Sequence, residues 1–324
     1  MLPLRGRGAS INPIPTQSVG TSTSRVGPRH PSSLIPYPSS FNLHPSSPIA
    51  LLLLTLLLPA PPLVAAPMGT GKIEAEATSD YSHIRIRRQG NMRSMNFVRD
   101  NGEEHIQSIW NVKKPYELVT HYSRLMFASY FFMPQQKRVL IVGLGGGAMV
   151  HFYEHYDPEV KVDAVEIDAK VVELADKYSD VRTQKNTKVI TEDAFKYFKD
   201  DKTAYDVIYM DAFLKPSEGT DATGQPLRLK TAEFYKGLRE HLTPDGIVVV
   251  NLNVHQGTDD DVATLRGVYP QTYSFKARTP NLIVIGTWEK TRTSADAVRA
   301  RARTLDQRFK ATFTFASVVA ALGK

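Results

Sequence analysis

The chain of 324 residues contains no cysteine. Disulfides, thiolate zinc sites and cysteine nucleophiles are therefore excluded. Acidic residues are absent from the first 73 positions, which carry Arg5, Arg7, Arg25, Arg29 and Lys72. Most of the formal charge of +7 is thus concentrated there. The remainder is close to balanced, so no nucleic-acid surface is implied. A clear spanning helix is missing as well. The long apolar stretch, "IALLLLTLLLPAPPLVAA" at 49–66, is broken by prolines. It falls short of the roughly 20 apolar residues that a membrane crossing needs.

The leader, residues 1–72, is rich in proline and serine and cannot bury enough apolar surface to order itself. Its apolar run resembles a secretory h-region ending in a Val64-Ala65-Ala66 cleavage motif. Export to a periplasmic or extracytoplasmic space by a cleavable segment is the favoured expectation. The alternatives are a cytoplasmic protein starting near Met68 and an organellar address.

From about Ile73 the pattern turns globular. "HIRIRRQG" and "MRSMNFVRD" alternate about Gln89-Gly90-Asn91, which predicts a β-hairpin, and Asn101-Gly102 predicts a second turn before "EEHIQSIW". Residues 115–133 carry apolar positions at helical spacing behind a proline. These segments make a small β module with a linking helix, 73–133. Strand and helix signals then alternate over 134–290, which predicts an α/β, Rossmann-like, doubly wound sheet. "TYSFKA" and "NLIVIGTW" are close enough to close that sheet as an antiparallel hairpin. The tail, 291–324, reads as helical.

"RVLIVGLGGGAMVHFYE", 138–154, sets Gly143, Gly145, Gly146 and Gly147 between a buried strand and a helix start. Glycines there let a ligand approach the main chain without meeting a Cβ. The turn fits the dinucleotide fingerprint and the S-adenosylmethionine pattern equally well. The next strand ends in Glu166-Ile167-Asp168, at the distance where an acid meets ribose hydroxyls. Glu166 is the better candidate, because Asp168 is placed to cap a helix. The third strand ends in Glu192-Asp193, where a carboxylate can accept from an adenine amino group between Ala194 and Phe195. The fourth ends in Asp211, at the carboxyl edge where open α/β sheets bind ligands. A nicotinamide enzyme accounts for neither the third acid nor the closing hairpin.

Six segments carry a resemblance: "QSIWNVKKPYELVTHYSRLMF", "VLIVGLGGGAM", "VEIDAKVVELA", "TEDAFKYF", "YDVIYMDAF" and "EFYKGLREHLTPDGIVVVNL". Over about residues 80–290 the chain resembles the spermidine synthases and related polyamine aminopropyltransferases. The resemblance implies a seven-stranded sheet and a nucleoside-sulfonium cofactor, S-adenosylmethionine or its decarboxylated form, with no metal. It implies cofactor or catalytic roles for Gln107, Tyr122, Glu166, Asp193 and Asp211, with Asp211 deprotonating or orienting the attacking amine.

The departures remove negative charge. Where the family usually has an acid in its glycine turn, this chain has Gly146. Its fourth strand continues "DAFLKP", with Leu214 and Lys215 where the family's second acid is expected. Ser123-Arg124 stands where His-Glu is common. An unpaired buried ammonium is costly, so a polyamine fits poorly. Arg124 or Lys215 would instead suit a carboxylate such as that of intact S-adenosylmethionine. Glu218 and Asp221 could restore amine binding from a later loop.

The leading expectation is an aminopropyltransferase acting on a small-molecule amine. A methyltransferase on another acceptor and a non-catalytic nucleoside-binding member are the alternatives. A homodimer is left open.

Overall fold

The structure, a computed structural model, describes residues 70–323. The leader, with its apolar run and cleavage motif, lies outside them. Among the described residues no helix is long and apolar enough to cross a membrane.

Four antiparallel strands come first, ordered β1-β2-β3-β4: β1 Lys72–Thr78, β2 His83–Gln89, β3 Met92–Val98 and β4 Glu104–Asn111. The expected hairpin is β2–β3. Strand β1 escapes the sequence reading because its apolar positions include only small Ala75 and Ala77 beside Ile73. Charge pairs across strands fix it: Arg85 binds Glu76, and Arg93 binds Glu74. Glu104 faces Arg85 and Arg87, whose hydrogen bonds outweigh burial and hold its carboxyl at about 2.

The linking segment corrects the expectation of one helix over 115–133. Helix α1 spans only His121–Met126, and a 3-10 turn, Phe127–Phe131, follows it. Before it, the Leu118 and Val119 carbonyls accept from the Arg124 guanidinium. Side-chain bonding there takes the place of an earlier helical turn.

The main sheet is built from β5 Arg138–Val142, β6 Lys161–Glu166, β7 Thr187–Thr191, β8 Tyr205–Met210, β9 Leu242–Asn253, β10 Gln271–Lys276 and β11 Asn281–Thr287. Their spatial order is β10-β11-β9-β8-β5-β6-β7. Only β11 runs against the others, slotted between β9 and β10. Thr243-Pro244-Asp245-Gly246 lies within β9, as an irregularity between the Tyr205–Leu242 and Val207–Ile247 pairs. The central strands β5 and β8 are apolar apart from Arg138 and Asp206 near their starts, because both faces are covered. Val139, Ile141, Val207 and Tyr209 pack to one side; Leu140, Val142, Ile208 and Met210 pack to the other.

Helices α2 Ala148–Tyr156, α3 Ala169–Ser179, α7 Ala295–Phe309 and α8 Phe315–Val319 cover the first face. The second is covered by α4 Ala194–Asp200, α5 Ala232–Gly237 and α6 Thr258–Val268. Helix α5 is flanked by 3-10 turns at Leu227–Lys230 and Leu238–His241. Thr231 caps α5 by accepting from the Phe234 amide, so the helix begins afresh there.

Candidate active site

The carboxyl ends of β5, β6, β7, β8 and β9 open onto one cavity of about 480 Å³. The ends of β3 and β4 close over it from the N-terminal sheet. The cavity brings Gln107, Tyr122, Gly143, Gly145, Glu166, Asp193 and Asp211 together in one lining.

The glycine turn is shaped by close approach. Gly143 has φ +97°, and a Cβ there would lie 2.2 Å from the Asp211 carbonyl oxygen. Two of the turn's amides are already engaged within the protein. Leu144 N–H donates to Glu166 Oε2 at 2.9 Å, and Gly146 N–H donates to Ser108 Oγ at 2.9 Å. What the turn offers a ligand is bare surface and the Gly145 backbone.

Gly146 departs from its expected place in cofactor binding. It is not in the main lining, and a Cβ on it would come within 2.7 Å of the buried Trp110 ring. Packing therefore explains the missing acid: the indole from β4 occupies the space a side chain would need. Gly147 caps α2 in the left-handed region and lines a small adjoining recess.

On the β6–β7 side the acids are committed. Glu166 is buried and accepts amide hydrogen bonds from Leu144 and, at 3.0 Å, from Asp168. Burial pushes its carboxyl up, while those amides pull it down. Each oxygen still has a lone pair for a ribose hydroxyl. Asp168 caps α3, as expected. Asp193 caps α4 and receives Arg228 at 2.7 Å. Arg228 also lies over the Phe195 ring, 4.5 Å from its centroid. Nothing local in the sequence points to Arg228, which arrives from the 3-10 turn Leu227–Lys230.

On the β8–β9 side, Asp211 stands without a cation. Its Oδ1 accepts from Asn251 Nδ2 at 2.8 Å, and Asn251 accepts from Asn281 Nδ2 at 3.1 Å. Burial raises the Asp211 carboxyl to about 6, against the Asn251 hydrogen bond. Tyr122 lines the same region. Burial, and then the charge of Asp211, push its phenol well above its ordinary value, so it stays protonated. Asn251 was readable in principle, as the first polar residue after the apolar run of "IVVVNLN".

Three expectations are overturned here. Arg124 does not line the cavity; its guanidinium binds the Leu118 and Val119 carbonyls and cannot hold a cofactor carboxylate. Glu218 is exposed and outside the lining. Asp221 is turned away into a cluster with Lys230, His255 and Asp261. The spacing of those three acids and bases would suit a metal, but the Lys230 ammonium, 2.7 Å from Asp221 and 2.5 Å from Asp261, holds that position. Lys215 does line the cavity and pairs with Asp100.

A sheet with an inserted final strand thus carries acids at the ends of β6, β7 and β8 around one cavity. A spermine/spermidine synthase domain profile matches residues 118–285. The polyamine aminopropyltransferase of Vibrio vulnificus is 30% identical over 213 residues, 64% of this chain and 69% of that one. The polyamine aminopropyltransferase of Neisseria meningitidis is 30% identical over 179 residues, 54% of this chain and 63% of its own. Among solved structures, a probable spermidine synthase from Corynebacterium glutamicum superposes with TM-score 0.60 at 21% identity, covering 76% and 92% of the two chains. A spermidine synthase bound to the transition-state analogue AdoDATO gives 0.56 at 17%, covering 78% and 84%. Human methyltransferase-like protein 13 with SAH gives 0.54 at 23%, covering 60% and 94%. At these identities the structures establish the fold. The chain belongs to the spermine/spermidine synthase family, and is a transferase of that family.

Proposed function

We propose that this chain transfers an aminopropyl group from decarboxylated S-adenosylmethionine to a small amine, with Asp211 as the base. The observation that carries this reading is Asp211 itself: a desolvated carboxylate, oriented by Asn251, sharing a cavity with Glu166. The residues fit the nucleoside. Glu166 has lone pairs for ribose hydroxyls, and Ala194 lines the place of the base beside Asp193, while Phe195, expected there too, lies outside the lining under Arg228.

The sulfonium supplies an activated carbon and a neutral thioether leaving group. The protein supplies position, exclusion of water and a proton acceptor. The amine nitrogen forms its bond to the carbon on sulfur as the carbon–sulfur bond breaks. The electron pair stays on sulfur, giving methylthioadenosine, and the proton goes to Asp211. An acid raised to about 6 is ionised at neutral pH yet basic enough to accept that proton.

One observation favours a second reading, methyl transfer from intact S-adenosylmethionine: Gly146, packed under Trp110, offers no acid to a terminal ammonium. Incubating the full chain with each cofactor and a panel of amines separates the two. Methylthioadenosine supports the first reading, and S-adenosylhomocysteine supports the second. Export through residues 49–66 remains part of the proposal. A mature N-terminus following Ala66 is its expected signature.

A further inference from the structure

The chain's first acidic residue is Glu74, so every side-chain carboxylate it has lies among the described residues. Four of them line the cavity: Glu166, Glu192, Asp193 and Asp211. Asp193 is neutralised by Arg228, Glu192 by Lys196 at 2.8 Å, and Glu166 holds two amides at the β6 end. Asp211 is left as the one carboxylate on the β8–β9 side.

The rest of that side holds no further carboxylate: its lining is apolar, cationic or neutral polar, the last including Asn251, Asn253 and Asn281. Ile106 and Val254 are 42% and 51% exposed, among the most exposed large apolar side chains described, and both line this cavity. Leu214 and Pro280 stand with them. Arg99 and Lys215 complete the lining, while their partners Glu103 and Asp100 sit outside it, 59% and 88% exposed.

We propose that the acceptor is a monoamine with an apolar body, and that a diamine or polyamine is disfavoured. This rests on the aminopropyl-transfer reading above. Asp211 serves the reacting nitrogen, and the cofactor's own ammonium competes for the same carboxylate. A further ammonium at the acceptor's far end would meet Leu214, Ile106 or Val254, with Arg99 and Lys215 repelling it. A cation there finds no carboxylate and two like charges, whereas a methyl group at the same place gains from its contact with Leu214, Ile106 or Val254. Gly146 cannot be the site of a compensating acid, because the Trp110 ring fills the space.

The test compares 1,4-diaminobutane with n-pentylamine, which puts a methyl where the diamine has its second nitrogen. Methylthioadenosine release by the full chain with decarboxylated S-adenosylmethionine gives kcat/KM for each. The expected result is a preference for pentylamine of at least about tenfold. Two variants add a carboxylate on this side: Leu214→Asp, and Ile106→Asp at an exposed position where folding is not at stake. At least one should raise kcat/KM for diaminobutane about tenfold and lower it for pentylamine. A wild-type preference for diaminobutane overturns the inference and leaves aminopropyl transfer standing. So do variants that turn over with unchanged preference. Absence of methylthioadenosine with every amine overturns the transfer reading, and this inference with it.

Discussion

The two sides of the cavity are built on opposite electrostatic plans. At the ends of β6 and β7 the carboxylates are plentiful, and each is already bonded to an amide or a cation. At the ends of β8 and β9 there is one carboxylate, Asp211, steadied by an amide side chain and desolvated. Bonded acids make a rigid surface for a neutral, hydroxyl-bearing ligand, since their orientation does not depend on the ligand. An acid without a cation stores basicity, because burial disfavours its charge. Binding and chemistry are thereby assigned to different strands.

The sharpest way to break this comparison is Asp211→Asn. The expected fall in kcat is about 10²- to 10⁴-fold, the usual range for a general base. Nucleoside affinity, measured by calorimetry, should stay within about threefold, because the β6–β7 side is untouched. An equal loss of both would mean that the two sides do not divide the work.

Glu166→Ala is the complementary change. Two charge-assisted hydrogen bonds to ribose, at roughly 1.5–3 kcal/mol each before desolvation, imply at least about a tenfold loss of nucleoside affinity. Unchanged affinity would reduce Glu166 to a clamp on the Leu144 and Asp168 amides.

The same asymmetry has a stability signature. The Asp211 carboxyl lies higher folded, about 6, than its ordinary 3.8. It therefore costs stability as pH rises through that interval, and the full cost applies above it. Asp211→Asn should stabilise the fold at pH 7 by up to about 3 kcal/mol, less where water enters the cavity. The gain should vanish below about pH 4. Denaturant melts of both proteins at the two pH values check this.

Gly146→Asp should destabilise by about 1–3 kcal/mol, since its Cβ meets the Trp110 ring, and should not improve amine affinity. The smallest effect is expected from Arg124→Glu. It should cost about 1 kcal/mol through the lost carbonyl bonds and leave the preference between intact and decarboxylated cofactor unchanged. A reversal of that preference would return Arg124 to the site.

These residues also show what a sequence can disclose. The turn from β5 into α2 and the acids at the ends of β6, β7 and β8 were legible because their signals are local: an apolar run, then glycine or an acid, then helical spacing. The β10–β11 hairpin was legible for the same reason. Commitments across the fold were not. Arg124 and Asp221 carry suitable charges close in sequence to site residues, yet their side chains turn to other partners. Trp110 lies in β4 and Gly146 in the turn after β5, and nothing near either one announces that the ring excludes an acid. Strand β1 was missed because alanine alternation is a weak apolar signal, and its pairing is set by charges on β2 and β3.

The most direct test is to titrate Asp211 itself. Carbon-13 NMR of aspartate side-chain carboxyls in the full chain, with Asp211→Asn to assign the signal, reads its midpoint without turnover. The account predicts a midpoint near 6, raised by burial and only partly offset by Asn251. A midpoint at or below the ordinary 3.8 would show Asp211 to be solvated or paired with a cation, and would contradict its assignment as the base.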